Sequence, residues 1–469
     1  MNSKNFPRLI IAATQSGSGK TTITTGLLAA LKNRGLKVQA YKIGPDYIDT
    51  GWHELAIGKP SHNLDSWLVG KDKLKEIFIE TSRDADISII EGVMGLYDGG
   101  RGGISSTAEI SKLLNASVVL VIDAKSMGTS AAAIALGFRE FDKSVNLAGV
   151  ILNRLGSDSH RKMIVDALDT LGIKCFGAIM RNDEFILPER HLGLVPTTEN
   201  NAVDVLKKIC AAVEAQIDID ALIQCAMRNA QTAMCNAQCV MRNDNDEIIP
   251  NCLSIGVAYD EAFNFYYGAS LHELERLGAK IIYFSPLNDT TLPEGISGLI
   301  IGGGFPEMFA VRLEQNKNLR AEIYHAAEVG LPIFAECGGF MYLMKNLIDF
   351  DEKNFEMCGV IDGSAIMTNK LQTVGYVEAE ILRDCAIGKA GDKIRAHEFH
   401  FSKELAISDE NIFKCTRMRT GKEYFAGVSK KNLVASYLHI HFAGCPNAAK
   451  NFVDACKKFR GALNGNRNF

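Results

Sequence analysis

A glycine-rich segment ahead of an expected helix contains residue types that bind phosphate. Gly17 and Gly19 allow backbone N–H groups to close around phosphate oxygens, and a helix N-terminus adds partial positive charge. Lys20 is placed to reach the β- and γ-phosphates of a nucleotide, and the Thr21 hydroxyl to ligate Mg²⁺. Thr14 stands where the usual pattern has its first glycine. The segment predicts a P-loop, with a simple glycine- and serine-rich turn as the alternative.

Two acidic segments follow apolar runs that are expected to be strands. Asp46, Tyr47 and Asp49 lie in and just after a Gly-Pro-Asp break, at the end of a strand where open α/β sheets bind ligands. Glu91 closes another apolar run, as expected of the acid that holds Mg²⁺ near a P-loop. A glycine-rich loop then carries Asp98. A surface turn with solvated acids is the alternative for the first segment, and a merely mobile loop is the alternative for the glycine-rich one.

Asn153 and Arg154 come directly after a further apolar run. An Asn amide at this place can offer a donor and an acceptor to an adenine edge, although a turn or helix-capping role fits the chemistry equally well. The residues expected to bind ATP are Gly17, Ser18, Gly19, Lys20, Thr21, Thr22, Asn153 and Arg154.

A second kind of chemistry is indicated by Cys337, which lies between an apolar strand and two glycines. A thiol on a sharp strand-to-helix turn is exposed near a helix N-terminus, which lowers a thiol pKa. Gly303, Gly304 and Gly338 could supply the backbone donors that a tetrahedral oxyanion needs. His439, at the end of an apolar strand, is the expected base, although a lone histidine there is more often structural. Other histidines considered are His397, His400 and His441.

Alternating strand-like and helix-like segments must position these residues. In the first half the alternation predicts a mostly parallel sheet covered by helices on both faces, and a second α/β unit begins near Leu253. Asn, Gln, Met and Ala accumulate between 218 and 250, which indicates a linker or a helix leading to one. The expected divisions are a P-loop domain 1–217, a linker 218–250, a second domain 251–455 and a C-terminal tail 456–469.

Composition excludes several classes of protein. The 469 residues exceed one hydrophobic core, and length alone favours roughly two to four domains. The net charge of -4 and a pI near 6.2 argue against a protein built mainly to bind nucleic acid or an anionic membrane. Neither a signal-like apolar region nor a membrane-length apolar stretch is found, so a cytoplasmic location is expected. The twelve cysteines lack disulfide-scaffold spacing and are expected to be mostly reduced.

Taken together, these motifs resemble those of the glutamine-dependent a,c-diamide synthases that amidate tetrapyrrole carboxylates. The likeness spans nearly the whole chain and rests on the segments 17–22, 42–49, 91–98, 335–339 and 436–442. The resemblance implies an α/β fold in which a P-loop domain similar to dethiobiotin synthetase precedes a class I glutamine amidotransferase-like domain. It also implies Mg²⁺ as cofactor, and ATP and L-glutamine as co-substrates.

The resemblance further implies roles for individual residues. Cys337 would attack the side-chain carbonyl of glutamine with His439 as base, and the ammonia would pass to the first domain. ATP would phosphorylate the a- and c-acetate carboxylates of cobyrinic acid, and ammonia would displace phosphate to give the diamide of cobalamin biosynthesis. Many class I enzymes use His-x-Glu, whereas this chain has His441 at the third position, so what orients His439 stays open. The implied metal ligands are Thr21, Asp46 and Glu91, and the implied tetrapyrrole-binding residues are Lys42, Tyr47, Asp49 and Asp98.

Several alternatives stay open at this point. The same chemistry could act on hydrogenobyrinate or nickel-sirohydrochlorin, while segment 42–49 disfavours the other cobyrinate side chains. A partitioning-type P-loop ATPase switch with a non-catalytic second domain is an alternative of another class, and it predicts no need for a thiol at position 337. A glutaminase that regulates something unrelated would leave the P-loop without an acid acceptor. A homodimer is compatible with the resemblance but is not specified by it.

Overall fold

The computed structural model describes residues 6–185, 200–231, 253–405, 407 and 409–465. The chain divides into two compact units, Met1–Asp244 and Asn245–Phe469. The division falls within 232–252, outside the described residues, so the domain limits at 217 and 250 stay predictions.

One parallel sheet forms the centre of the first unit. Its strands are β1 Arg8–Ala13, β2 Val38–Ile43, β3 His62–Leu64, β4 Ile87–Glu91, β5 Ser117–Asp123, β6 Leu147–Leu155 and β7 Cys175–Met180. They are ordered β3-β2-β4-β1-β5-β6-β7, and every neighbouring pair is parallel. The strands are apolar and mostly buried, as expected when helices cover both faces. The predicted parallel sheet is confirmed.

The helices of this unit lie between and after the strands. They are α1 Lys20–Asn33, α2 Ile48–Ile57, α3 Ser66–Val69, α4 Lys71–Thr81, α5 Thr107–Leu113, α6 Ser130–Phe141, α7 Asp158–Thr170, α8 Asn200–Gln216 and α9 Ile219–Gln231. Leu27 of α1, Val213 of α8 and Leu222 of α9 share one buried apolar cluster. The start of the segment expected as a linker is therefore a helix packed in the core of the first unit.

A ten-stranded mixed sheet forms the centre of the second unit. The strands of this unit are β8 Leu253–Ala258, β9 Phe263–Phe265, β10 Ala279–Phe284, β11 Gly298–Ile301, β12 Gly303–Gly304, β13 Ile333–Glu336, β14 Met344–Ile348, β15 Asn354–Glu356, β16 Ile361–Met367, β17 Thr373–Ile381, β18 Lys393–His400, β19 Ser402–Leu405, β20 Asn411–Arg417, β21 Glu423–Lys430, β22 Leu433–Ser436 and β23 His439–Ile440. The main sheet is ordered β10-β8-β11-β13-β22-β21-β20-β17-β18-β23, parallel from β10 to β22 and antiparallel beyond.

Among the described residues of this unit, five α-helices accompany the strands: α10 Gly268–Arg276, α11 Ala310–Gln315, α12 Lys317–Glu328, α13 Gly338–Leu343 and α14 Pro446–Gly465. The predicted α/β character of this unit is confirmed, while its antiparallel half was not foreseen. Helix α14 continues past position 456, where the sequence suggested that a tail begins. Among the described helices, none combines the length and apolarity needed to cross a membrane.

Candidate active sites

The phosphate-binding segment joins β1 to α1. Gly19 precedes α1 with φ 85°, and the helix begins at Lys20. The Ser18 hydroxyl donates to the Gln15 carbonyl at 2.9 Å, which closes the loop on itself. Thr22 lies half-buried in the first turn of α1. The loop thus has the strand, turn and helix context that a P-loop requires.

Asn153 and Arg154 both contact the backbone of this loop. Asn153 Nδ2 donates to the Ser18 carbonyl at 2.9 Å, and Arg154 Nη1 donates to the Gly17 carbonyl at 2.9 Å. Arg154 also pairs with Asp123 at 2.6 Å. A Cβ atom on Gly19 would lie 2.2 Å from Asn153 Nδ2. In this structure, the two residues expected to contact ATP fix the conformation of the loop.

A cluster of charged side chains lies next to the loop. The neighbouring strands β2 and β4 place Lys42 opposite Glu91, and Lys42 Nζ is 3.0 Å from Glu91 Oε1. The Thr21 hydroxyl donates to Glu91 Oε1 at 2.7 Å and lies 3.2 Å from Asp49 Oδ1. Lys20 Nζ is 3.7 Å from Glu91 Oε1, and Lys42 also pairs with Asp49. The sequence-predicted residues Thr21, Lys42, Asp49 and Glu91 therefore converge.

Burial and mutual attraction shift the pKa values in this cluster. Burial alone would raise the pKa of Glu91, but the nearby lysine charges and a histidine hydrogen bond hold it well below its usual range. Burial is the largest influence on Lys42, yet the surrounding carboxylates outweigh it and raise its pKa. Burial lowers the pKa of Lys20. For Asp49, burial and the neighbouring carboxylates of Asp46 and Glu91 raise the pKa to about 7.

The donor set of this cluster fits Mg²⁺. The carboxylates of Asp46, Asp49 and Glu91 lie near the ammonium groups of Lys20 and Lys42. Asp49 and Glu91 also hydrogen-bond the Thr21 hydroxyl, so several oxygen donors meet at one place. Carboxylate and hydroxyl oxygens are the protein ligands that this ion prefers. In the part of the chain that the structure describes, no three His, Cys, Asp or Glu side chains form a metal cage. Mg²⁺ bound through one or two carboxylates and phosphate oxygens does not need such a cage.

The remaining residues expected to bind metal or substrate lie around this cluster in different ways. Asp46 Oδ1 accepts from the backbone N–H groups of Ile48 and Asp49 at 2.8 and 3.2 Å, so it caps α2. Tyr47 is half-buried at the start of the same helix. Asp98 is exposed, and its carboxylate accepts from the Gly95 N–H at 3.1 Å. Asp49, rather than Asp46, hydrogen-bonds Thr21.

Two residues that sequence reasoning missed support the cluster. His53 is fully buried, and its Nε2 lies 2.8 Å from Glu91 Oε2. Asn63 donates to the carbonyls of Gly44 and Asp46 at 2.8 and 2.9 Å, which fixes the turn before α2. The spacing of four between Asp49 and His53 on one helix face is a signal that could have identified His53.

The cysteine turn of the second unit lies between β13 and α13. Cys337 has φ 47° and ψ −103°, a strained backbone conformation for a residue other than glycine. Its N–H donates to the Ser436 carbonyl at 2.8 Å, and the Gly339 N–H donates to the Gly302 carbonyl at 2.9 Å. The thiol residue is 7% exposed. The predicted sharp turn at position 337 is present, held on two sides by backbone hydrogen bonds.

The glycine run lies against both the cysteine turn and His439. A Cβ atom on Gly338 would lie 3.0 Å from Gly304 N, and one on Gly303 would lie 2.7 Å from His439 Cε1. His439 is buried in β23, opposite His397 in the antiparallel ladder. The structure therefore brings Cys337, the glycine run and His439 into one region of the second unit.

Two of the other histidines, His441 and His400, are stacked on aromatic rings. His441 stacks on Tyr267 with a ring separation of 4.6 Å, and its Nδ1 is 3.2 Å from the Ser270 hydroxyl. His400 stacks on Tyr437 at 3.9 Å. Both rings pack face to face on aromatic residues, whereas His439 lies beside Gly303 of the glycine run, which favours His439 over His441 as the base.

The pKa values of Cys337 and His439 are both shifted toward the neutral forms of the two side chains. Burial, with the nearby carboxyl groups of Glu307, Glu336 and Glu398, raises the pKa of Cys337 to about 12. Burial, with His397 and His400, lowers the pKa of His439 to about 3. The thiol pKa is thus raised, whereas a helix N-terminus alone would lower it.

Glu336, the residue before the nucleophile candidate, was also missed. It is buried, its Oε1 accepts from the Ile440 N–H at 2.6 Å, and burial raises its pKa to about 8. The contact ties the end of β13, directly before Cys337, to the residue after His439. A polar residue inside an otherwise apolar strand, Ile333–Glu336, was the available signal.

Two protein-family models match the chain, one over each of the regions that contain these sites. Residues 9–195 match the CobQ/CobB/MinD/ParA nucleotide binding domain, and residues 254–446 match the CobB/CobQ-like glutamine amidotransferase domain. A cobyrinate a,c-diamide synthase of Dehalococcoides mccartyi is 43% identical, covering 97% of this chain and 99% of the relative.

Two further relatives extend the comparison. A protein of the same name from Caldanaerobacter subterraneus subsp. tengcongensis is 42% identical over 96% of this chain and 98% of its own. A hydrogenobyrinate a,c-diamide synthase of Streptomyces coelicolor is 39% identical over 96% of this chain and 98% of its own. Since relatives this similar cover nearly the whole of both sequences, the chain belongs to the cobyrinate a,c-diamide synthase family.

Proposed function

We propose that the protein uses ATP and glutamine to amidate the a- and c-acetate carboxylates of cobyrinic acid, giving cobyrinate a,c-diamide. The observation that carries the proposal is the presence, in one chain, of a P-loop beside a carboxylate–lysine cluster and of a cysteine turn beside His439. The first arrangement suits phosphoryl transfer to a carboxylate, and the second suits release of ammonia from an amide. Amidation of an acid with glutamine needs both.

In the first unit, the residues Gly17 to Thr22 would bind the phosphates of ATP, with Asn153 and Arg154 holding the loop. Lys20 would neutralise charge on the β- and γ-phosphates. Thr21 and Glu91 would hold Mg²⁺, aided by Asp46 or Asp49, and the bound ion neutralises phosphate charge during transfer. The substrate carboxylate attacks the γ-phosphate, giving an acyl phosphate and ADP.

The tetrapyrrole would lie beside the same cluster. Lys42 and Asp49 border the phosphate site, while Tyr47 and Asp98 lie on the loops that follow β2 and β4. Ammonia attacks the acyl phosphate carbon, the amide bond forms, and phosphate leaves. We assign substrate binding to Lys42, Tyr47, Asp49 and Asp98 on this placement.

In the second unit, Cys337 Sγ would attack the side-chain carbonyl of glutamine. His439 takes the thiol proton and returns it to the departing ammonia, leaving a glutamyl thioester that water hydrolyses to glutamate. Backbone N–H groups of Gly303, Gly304 and Gly338 would stabilise the oxyanion. Burial raises the pKa of the thiol and lowers that of the imidazole, which favours proton transfer during the attack over a preformed thiolate–imidazolium pair.

Hydrogenobyrinate is a second candidate substrate. The Streptomyces coelicolor relative is named for that compound, and its identity to this chain is close to that of the cobyrinate-named relatives. The two macrocycles differ in the bound metal and not in the acetate carboxylates that react. Side-by-side assays with both compounds distinguish these substrates.

The product mass tests the proposal. Purified protein is incubated with ATP, Mg²⁺, cobyrinic acid and either glutamine or ammonium, beside Cys337→Ala. A matched Cys385→Ala variant removes a half-buried thiol elsewhere in the same unit. We expect two amides to be added by the parent and by Cys385→Ala with either nitrogen source, whereas Cys337→Ala works with ammonium alone.

Three outcomes would contradict the proposal. No amide addition to any of the tetrapyrroles would exclude the amidation chemistry. Equal glutamine-driven activity in Cys337→Ala would exclude the assigned nucleophile. An ATPase that hydrolyses no glutamine would favour the partitioning-type switch.

A further inference from the structure

The two carboxylate oxygens of Glu91 have different neighbours. Oε1 lies 2.7 Å from the Thr21 hydroxyl, 3.0 Å from Lys42 Nζ and 3.7 Å from Lys20 Nζ. Oε2 lies 2.8 Å from His53 Nε2. Glu91 and His53 are both fully buried. One oxygen thus faces the cations and the Mg²⁺ ligand Thr21, while the other contacts an imidazole.

The imidazole of His53 is held at both ends. Its Nδ1 lies 3.0 Å from the Ser61 hydroxyl, and Ser61 is itself buried. With the ring proton on Nε2, His53 donates to Glu91, and Nδ1 accepts from Ser61, which satisfies both contacts. Ser61 is fixed in turn, because its N–H donates to Glu54 Oε1 at 3.2 Å.

We propose that His53 is a positioning residue, which fixes the rotation of the Glu91 carboxylate so that Oε1 is presented to the metal. The inference rests on the proposed function, since it takes Glu91 as a ligand of Mg²⁺ bound with ATP. Hydrogen bonds to the second oxygen of a ligating carboxylate set its orientation and its affinity for metal. His53 and Asp49 lie four residues apart on α2, so one helix face supports the site at two points.

Without His53, the carboxylate is free to turn toward its other neighbours. Lys42 Nζ is the nearest cation, and rotation would give it both oxygens of Glu91. That rearrangement weakens metal binding but leaves the P-loop contacts to nucleotide phosphates intact. The effect of His53 is therefore on Mg²⁺ affinity, and a residue that merely filled space would not produce this selectivity.

The test measures Mg²⁺ binding instead of turnover. Mg²⁺ is titrated by calorimetry into protein saturated with a non-hydrolysable ATP analogue, for the parent, His53→Ala, His53→Gln and Ser61→Ala. His272→Ala is the control, because its side chain is exposed on α10. Affinity for the analogue without Mg²⁺ and the thermal unfolding temperature are measured for each variant.

We expect His53→Ala to weaken Mg²⁺ binding by about 10- to 100-fold, with the affinity for metal-free analogue unchanged. His53→Gln should recover most of the loss, because a glutamine amide can donate to Oε2. Ser61→Ala should cause a smaller loss, and His272→Ala none. If His53→Ala does not fold, His53→Gln and Ser61→Ala carry the same comparison.

Several outcomes would overturn the inference. One is a Mg²⁺ affinity of His53→Ala that stays within about twofold of the parent's. Another is a loss of affinity for the ATP analogue in His53→Ala that is equally large with and without Mg²⁺. Failure of His53→Gln to bind more tightly than His53→Ala would also contradict it. A parent that binds Mg²⁺ with the analogue yet amidates no tetrapyrrole would end the proposed function while leaving the role of His53 standing.

Discussion

The phosphate site of the first unit and the thiol site of the second handle charge in opposite ways. In the first, the carboxylates of Glu91 and Asp49 both pair with the ammonium group of Lys42, which lies 3.0 Å from Glu91. In the second, the thiol has carboxyl groups as its neighbours, and its pKa is raised to about 12. Opposite charges therefore face each other in the first site, whereas burial shifts the reacting groups of the second toward their neutral forms.

This difference matches the two chemistries. Phosphoryl transfer depends on charges that are already in position when the phosphates bind, because reorganisation during the reaction is costly. Attack of a thiol on an amide can begin from a neutral pair, provided that His439 takes the proton as the bond forms. A neutral thiol also limits oxidation and unproductive reactions, since the thiolate is the reactive form.

The largest expected effect comes from removing the charge at the centre of the first site. Glu91→Gln keeps the volume but leaves Lys20 and Lys42 without their shared carboxylate. We expect the amidation rate to fall by about a thousandfold or more with glutamine and with ammonium. The free energy of unfolding should fall by about 3–5 kcal/mol. Glu140→Gln, in an exposed ion pair, is the control. The measurements are amidation rates and thermal unfolding. Ammonium-driven amidation by Glu91→Gln within tenfold of the parent would show that the phosphate site does not depend on this charge.

A smaller effect is expected from Gly19→Ala. The new Cβ would lie 2.2 Å from Asn153 Nδ2, and Gly19 has φ 85°, which an alanine adopts only with strain. We expect ATP to bind about 100-fold more weakly, because the loop must open. Gly137→Ala is the control, since a Cβ there meets no atom within 4 Å. Equal ATP affinity for the two variants, measured by calorimetry, would show that the loop is not held as described.

The corresponding change in the second unit is Gly303→Ala. Its Cβ would lie 2.7 Å from His439 Cε1 and would displace the imidazole. We expect glutamine-driven amidation to fall about tenfold or more, with ammonium-driven amidation retained. Gly461→Ala on α14, where a Cβ meets no atom within 4 Å, is the control. Loss of both activities together would argue against separate sites.

The smallest effect concerns the buried carboxyl of Glu336. Its pKa is raised to about 8, so the folded protein holds this proton at pH values where the unfolded chain has lost it. The stability from this group is therefore present below about pH 4.5 and is lost as pH rises toward 8. Glu336→Gln cannot ionise, so its unfolding temperature should rise relative to the parent between pH 5 and 8, by a few degrees.

Glu322→Gln is the control for this measurement, because Glu322 also accepts a backbone N–H, from Leu292 at 2.7 Å, but is half-buried. A difference between Glu336→Gln and the parent that does not change with pH would show that Glu336 is already ionised in the folded protein.

Much of the first unit follows from sequence because its signals are local. A P-loop, buried parallel strands and an acid at a strand end are each contained within a few residues. The antiparallel strands from β17 to β21 were missed because their outer residues are exposed, so each strand carries a weaker apolar signal. Strand β18 shows this alternation in its burial pattern.

The parts of the sites that could not be predicted depend on distant residues. His53 contacts Glu91 across 38 positions of sequence, and the Ile440 N–H contacts Glu336 across 104. The direction of the thiol pKa shift depends on Glu307, Glu336 and Glu398, which only folding brings near Cys337. The position of Cys337 before a helix predicted a lowered thiol pKa, because that prediction did not include the effect of burial.

Alkylation of Cys337 across a pH range tests whether the thiol is neutral at rest. Iodoacetamide is added to resting protein between pH 6 and 10.5, and modification of the peptide containing Cys337 is followed by mass spectrometry. With a pKa near 12, the rate at pH 7.5 should be at least about 100-fold below that of a free thiol of ordinary pKa and should still rise at the highest pH. A rate that reaches a plateau at or below pH 8 would show that Cys337 is already a thiolate in the resting protein.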